Sequence, residues 1–150
     1  MKRLRVYVET SVVGACFDPG FIEDSLRVFE MARSGNQLLL ISDALLDELE
    51  PASLEVKEFV PKLPADSYER IRTTHEVLEL RDSYIRRGIL TTKWTTDALH
   101  VASATAHRAD VIVSWNMKHI VHLAKIRAFN EVNRENGYPE ILIQTPRQME

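Results

Sequence analysis

Four side chains able to ligate a cation or bind a phosphate stand where apolar runs end. Glu9 follows LRVYV, Glu48 lies in DALLDELE, Asp97 opens TTDALHVASATA, and Asn116 follows DVIVSW. Carboxylates gathered at one place repel and raise one another's pKa, so such a group persists where a hard cation neutralises it. A cation held that way can activate water, orient a phosphodiester and stabilise a leaving oxygen. That chemistry requires the four positions to meet, so the elements carrying them decide the matter.

Strand-like and helix-like patterns alternate along the 150 residues without a repeat, a low-complexity tract or a shift in composition, which predicts a single α/β domain over residues 1–150. Leu4, Val6 and Val8 alternate with Arg5 and Tyr7, predicting a first strand that ends at Glu9. Residues 22–34 carry Ile22, Leu26, Phe29 and Ala32 at helical spacing, and Gly35 follows as a C-cap. Residues 38–41 form a continuous apolar run of the kind found in buried parallel strands. Ser42 or Asp43 then caps a short helix stopped at Pro51. A helix over 53–62, an edge strand over 68–72 and a helix from Thr73 or Thr74 to Gly88 come next. After the helix from Thr95 and the strand DVIV, residues 118–136 are helical with a break near Leu123, and 141–143 make a last strand. Five strands with intervening helices predict a three-layer α/β/α sandwich on a parallel sheet.

Open α/β folds place their sites at the carboxyl ends of parallel strands. By that rule Glu9 ends strand one, Ser114 and Asn116 end strand four, and Asp43, Asp47, Glu48 and Glu50 follow strand two. Glu48, three residues from Leu45 and one from Leu49, sits at the edge of its helix's apolar face and can lean over the strand ends. Asp97, in the first turn of its helix, can reach the same rim. Each residue has a plainer explanation. The helix dipole alone favours Asp97, Glu48 and Glu50 suit a solvated helix face, and Asn116 suits a turn. Glu9, directly after an apolar strand, is the hardest to dismiss in that way.

Composition narrows the classes. The chain is 45% hydrophobic and 27% charged, and no apolar run approaches the ~20 residues of a membrane span. MKRLRVYVET has a basic start but no apolar h-region, so a cytoplasmic location is expected. Cys16, the single cysteine, excludes an internal disulfide and a cysteine-based zinc site, and is expected in the core. A net charge of −3 argues against global charge as the means of gripping nucleic acid, though a local basic patch remains open.

The segments VYVETSVVG, ISDALLDELE, DALHVASATA and DVIVSWN resemble, in order and spacing, the four acidic motifs of the PIN domain, a metal-dependent ribonuclease fold that includes the VapC-type toxins of toxin–antitoxin pairs. The similarity spans nearly the whole chain, and SWNMKHI followed by AFNEVNRENGY looks like a bacterial subgroup of that family. The resemblance implies a five-stranded parallel sheet of order 3-2-1-4-5. It places the family's four acids on Glu9, Glu48, Asp97 and Asn116, as catalytic residues and ligands of Mg²⁺ or Mn²⁺, with Thr10, Ser11 and Ser114 as polar neighbours. It also implies RNA as substrate, cleavage to a 5′-phosphate and a 3′-hydroxyl, a cognate antitoxin protein and a homodimer. Two departures stand out: glutamate at the first position, where aspartate is usual, and an amide at Asn116. Three carboxylates still suffice for one hard cation completed by water and substrate phosphate.

Candidate phosphate contacts near the rim are Lys93, Lys118, His119 and Arg87, each of which also suits a soluble surface. His100 and His107 lie on a largely apolar helix, where packing is expected rather than ligation, and Trp94 and Trp115 are expected as core aromatics. Two alternatives compete with the nuclease: a catalytically weak or inactive module of the same fold that binds RNA or a partner protein, and a phosphatase of the haloacid dehalogenase type. ETSVV lacks the paired aspartates of the second.

Overall fold

The computed structural model describes residues 2–149. Five strands, β1 (Leu4–Val8), β2 (Gln37–Ser42), β3 (Tyr68–Ile71), β4 (Val111–Val113) and β5 (Leu142–Gln144), form one sheet of order β3-β2-β1-β4-β5, and every neighbouring pair is parallel. The helices are α1 (Thr10–Ala15), α2 (Ile22–Arg33), α3 (Asp43–Leu49), α4 (Leu54–Lys57), α5 (His75–Arg86), α6 (Thr95–Ala106) and α7 (Leu123–Glu135). The α/β sandwich and strand order are those expected. Among the described residues no helix is long and apolar enough to cross a membrane.

The twofold alternation of strand side chains splits the interior into two cores. Val6, Val8, Leu39, Ile41, Val111 and Val113 face one way, onto Val12, Val13, Val28, Phe29 and Leu45 of α1, α2 and α3. Tyr7, Leu40 and Ile112 face the other, onto Leu80, Tyr84, Val101 and Phe129 of α5, α6 and α7. Cys16 is free and buried in the first core, where burial pushes its thiol up to about 12.

Helix α1 is absent from the sequence reading. Its six residues, TSVVGA, mix β-branched residues with glycine and carry no helical signal of their own. It forms because Glu9 is its N-cap, accepting the Ser11 backbone N–H. The helix expected over 53–62 shortens to α4, because the apolar side chains after Lys57 are drawn into the first core: Val60 and Leu63 are buried there and Phe59 packs against Phe29 and Phe17. Residues 118–122 are outside α7, which starts at Leu123. Gly35 ends α2 in the left-handed region at φ +90°, where a side chain is strained.

Thr74 caps α5, its side chain accepting the Val77 backbone N–H at 3.3 Å. Thr74→Ala is expected to cost about 1 kcal/mol and lower the melting temperature by about 2–4 °C. Thermal unfolding followed by circular dichroism checks this, and an unchanged melt would show that the cap contributes nothing.

Candidate functional site

The parallel order puts the ends of β1, β2 and β4 side by side, so Glu9, the α3 residues after Ser42, and Ser114 share one rim. Glu9 is 5% exposed. Its Oε1 accepts from the Ser11 and Ser114 hydroxyls, each at 2.5 Å, and its Oε2 accepts the Ser11 backbone N–H at 3.1 Å. Ser11 Oγ in turn accepts the Trp115 N–H, and Ser114 Oγ accepts the Asn116 N–H. Two neighbours suggested by the motif positions therefore fix this carboxylate and lock β1 to the end of β4.

Glu48 comes from α3, whose N-cap Ser42 accepts the Leu45 N–H. Ala44, Leu45 and Leu49 bury one face of this helix and leave Glu48 on its border. Glu48 Oε1 accepts from Thr10 Oγ1 and lies 2.5 Å from His100 Nε2. Burial pushes this carboxyl up, but the hydrogen bonds from His100 and Thr10 outweigh it, leaving Glu48 below the ordinary carboxylate range. The neighbouring acids do other work: Asp43 accepts the Thr73 N–H and pairs with Arg70, and Glu50 pairs with Lys57.

His100 is a member of the rim that the sequence hid. It is fully buried, as a histidine in an apolar helix should be, yet both ring nitrogens are engaged. One donor atom each from Glu9, Glu48 and His100 lies within 4.8 Å of the others, close enough to hold a metal ion. The signal present in the sequence was the spacing from Asp97: residues three apart on a helix share a face.

Asp97 occupies that face one turn nearer the start of α6 and is half-buried. Its Oδ2 is 3.0 Å from His119 Nδ1. Burial raises the Asp97 carboxyl above its ordinary range and the Glu9 charge adds to the rise, while His119 and His100 oppose it. Asp97 thus feels the Glu9 charge, although it stands outside the tight group of Glu9, Glu48 and His100. Asn116 has a different employment: its Oδ1 accepts the His119 backbone N–H at 3.0 Å and caps the turn after β4.

His119 is only 8% exposed and pairs with Asp97, with its ring against Trp94 at a centroid distance of 4.1 Å. Arg87 is engaged by Glu131 and Glu135 on the outside of α7. Lys93 and Lys118 remain exposed, their ammonium groups 5.0 Å and 5.9 Å from the Trp94 ring. Trp115 is half-buried, donating to Ser25 Oγ and meeting Phe21 edge-on.

Comparison with solved structures bears on this arrangement. The chain superposes on VapBC2 from Rickettsia felis bound to a promoter DNA fragment with a TM-score of 0.59 at 16% identity, covering 95% of this chain and 98% of that one. The fold is PIN-like. FitAcB from Neisseria gonorrhoeae gives a TM-score of 0.60 at 12% identity, over 96% of this chain and 99% of that one. DNA-bound VapBC from Salmonella typhimurium gives 0.58 at 16% identity, over 95% and 98%. No family model and no curated protein matches the sequence. The PIN-like architecture accounts for the shared rim, since its central β1 is flanked on both sides by strands whose carboxyl ends carry polar groups.

Proposed function

We propose that the protein is a metal-dependent endoribonuclease of the VapC type, cutting RNA phosphodiester bonds at the rim formed by Glu9, Glu48 and Asp97. The observation that carries this is how the three carboxylates are held. Glu48 and Asp97 each spend one oxygen on an internal partner, Oε1 on Thr10 and His100 and Oδ2 on His119, and their second oxygens have no partner among the described contacts. Glu9 receives three hydrogen bonds, which fix its buried carboxylate and leave room for one more contact. Such a donor set fits a hard cation taking oxygen ligands. Glu9, Glu48 and Asp97 would hold Mg²⁺ or Mn²⁺, with Asn116 contributing no charge. When bound, that ion supplies a nucleophile at neutral pH and neutralises charge on the phosphodiester.

The chain's own residues do the rest. Ser11 and Ser114 keep the Glu9 carboxylate aimed, Thr10 and His100 keep Glu48 aimed, and His119 keeps Asp97 aimed. Lys93 and Lys118, both exposed beside the Trp94 ring, receive the substrate backbone. Fold neighbours that are VapBC and FitAB complexes support a cognate antitoxin as protein partner and a homodimeric toxin. The second reading, a weak or inactive module that binds RNA or a partner protein, is favoured by one observation: Asn116 replaces a fourth acid and serves as a cap.

The test is incubation of purified protein with RNA and Mn²⁺ or EDTA, with analysis of product ends. Cleavage that needs the metal and leaves 5′-phosphates supports the enzyme, and RNA binding without cleavage supports the module. Lys93→Ala and Lys118→Ala are each expected to weaken RNA binding without sequence preference and to reduce the slope of log K against log salt by about 0.7–1. Filter binding at several salt concentrations measures this, and an unchanged slope removes the lysine from the interface.

A further inference from the structure

A line of polar side chains runs from the interior of the sheet to the rim. The Leu45 N–H donates to Ser42 Oγ at 3.1 Å, Ser42 Oγ is 2.7 Å from Tyr7 Oη, and Tyr7 Oη is 2.6 Å from His100 Nδ1. His100 Nε2 completes the line at Glu48 Oε1, 2.5 Å away. Tyr7, Ser42 and His100 are fully buried.

The direction of the hydrogens follows from counting them. An ionised carboxylate only accepts, so the nitrogen facing Glu48 must carry a hydrogen. In a neutral ring Nδ1 is then an acceptor, the Tyr7 hydroxyl donates to it, and the Ser42 hydroxyl donates to Tyr7 while accepting from Leu45. Every hydrogen in the line finds one acceptor. A doubly protonated ring would turn the Tyr7 hydroxyl toward Ser42 and leave the Ser42 hydrogen with no acceptor among these contacts. Burial raises the Tyr7 hydroxyl far above its ordinary range, which keeps it a donor.

We propose that His100 is a positioning residue for Glu48: a fixed Nε2–H donor whose ring orientation and tautomer are set by Tyr7 and Ser42 from the far side. The proposal rests on the reading of Glu48 as a metal ligand. Glu48 needs such a partner, because its side chain is 37% exposed and projects from the border of a seven-residue helix. With Thr10 and His100 both on Oε1, the carboxylate plane is fixed and Oε2 is presented to the rim. Hydrogen bonds from outside the coordination sphere orient ligands in this way, and losing one commonly costs about 10–100-fold in metal affinity. The competing arrangement has Nε2 itself as a ligand, which the 4.8 Å grouping allows. It requires the hydrogen to sit on Nδ1 and the whole line to reverse.

Imidazole ¹⁵N NMR on cation-free wild type separates the two: the proposal expects His100 as the Nε2–H tautomer, with its Nδ1 signal displaced in Tyr7→Phe. Calorimetry with Mn²⁺ should show affinity reduced about 10–100-fold in His100→Gln and Tyr7→Phe, and pulsed EPR of the Mn²⁺ form should show no directly bound nitrogen. An Nε2 lone pair in the free protein, or a directly coordinated nitrogen that disappears in His100→Gln, would overturn it. If wild type binds no Mn²⁺, the nuclease reading fails, while the tautomer, measured without metal, still decides whether His100 holds Glu48.

Discussion

Asp97→Asn is expected to reduce RNA cleavage by about 10²–10³-fold, the scale of the several kcal/mol a metal contributes to the transition state, while the metal-free protein melts no lower than wild type. The sign comes from the environment of Asp97. Burial, with the Glu9 charge behind it, holds this carboxyl above its ordinary range. A carboxyl raised in the folded state binds its proton more tightly when folded. Its contribution to stability is fully present below the unfolded pKa and is lost as pH rises through the folded value. At neutral pH the ionised Asp97 therefore works against the metal-free fold, and the amide removes that penalty while still accepting from His119. Glu48→Gln should reverse the melt and keep the catalytic loss. The Glu48 carboxyl is held below its ordinary range, so it adds stability above the unfolded pKa that is lost as pH falls through the folded one. Melts at neutral pH with and without Mn²⁺, beside a cleavage assay, read both signs. If Asp97 serves only the helix dipole, Asp97→Asn loses about 0.3–1 kcal/mol and leaves cleavage intact.

Asn116→Asp is expected to act in the opposite direction, tightening Mn²⁺ binding by on the order of tenfold or more. A unit charge ~4 Å from another is worth several kcal/mol in surroundings of intermediate dielectric before desolvation is subtracted, and cation sites are tuned by ligand charge count. The structure moderates the effect on the metal-free fold. The new carboxylate adds repulsion toward Asp97, but its oxygen can still accept the His119 N–H that Asn116 caps now, so only a small loss in melting temperature is expected. Titration calorimetry on wild type and variant measures the change. Cleavage that is absent from wild type and appears in Asn116→Asp would favour the binding module, and equal affinity in both would show that residue 116 is no ligand.

Much of this was legible before the fold was known. The alternation in LRVYV and the apolar runs of β2 and β4 carry the sheet, because strand side chains obey a strict period that tertiary contacts do not change. The rule that sites lie at the carboxyl ends of strands then singled out Glu9, Glu48 and Asp97, and the motif resemblance supplied the strand order. Helix α1 was illegible because a six-residue helix of β-branched residues and glycine draws its stability from the Glu9 cap and from burial, not from its own pattern. His100 was read as packing because a histidine among alanines and valines looks the same whether it fills space or bridges a tyrosine hydroxyl and a carboxylate. Only the positions of Tyr7 and Glu48, 93 and 52 residues away, distinguish these. The contact between His119 and Asp97 was hidden for the same reason, since the two residues lie 22 positions apart in the chain. Periodic local patterns are visible in a sequence, whereas pairings between distant polar residues are not.

The most direct test of the central claim is cleavage of an RNA pool of randomised sequence by wild type and Glu9→Gln, with Mn²⁺ or EDTA, read by sequencing only those fragments that bear a 5′-phosphate. Wild type with Mn²⁺ should yield new 5′-phosphate ends, and EDTA or Glu9→Gln should remove them. Cleavage that survives EDTA and Glu9→Gln, or a pool left intact by wild type with Mn²⁺, would contradict a metal-dependent site at this rim.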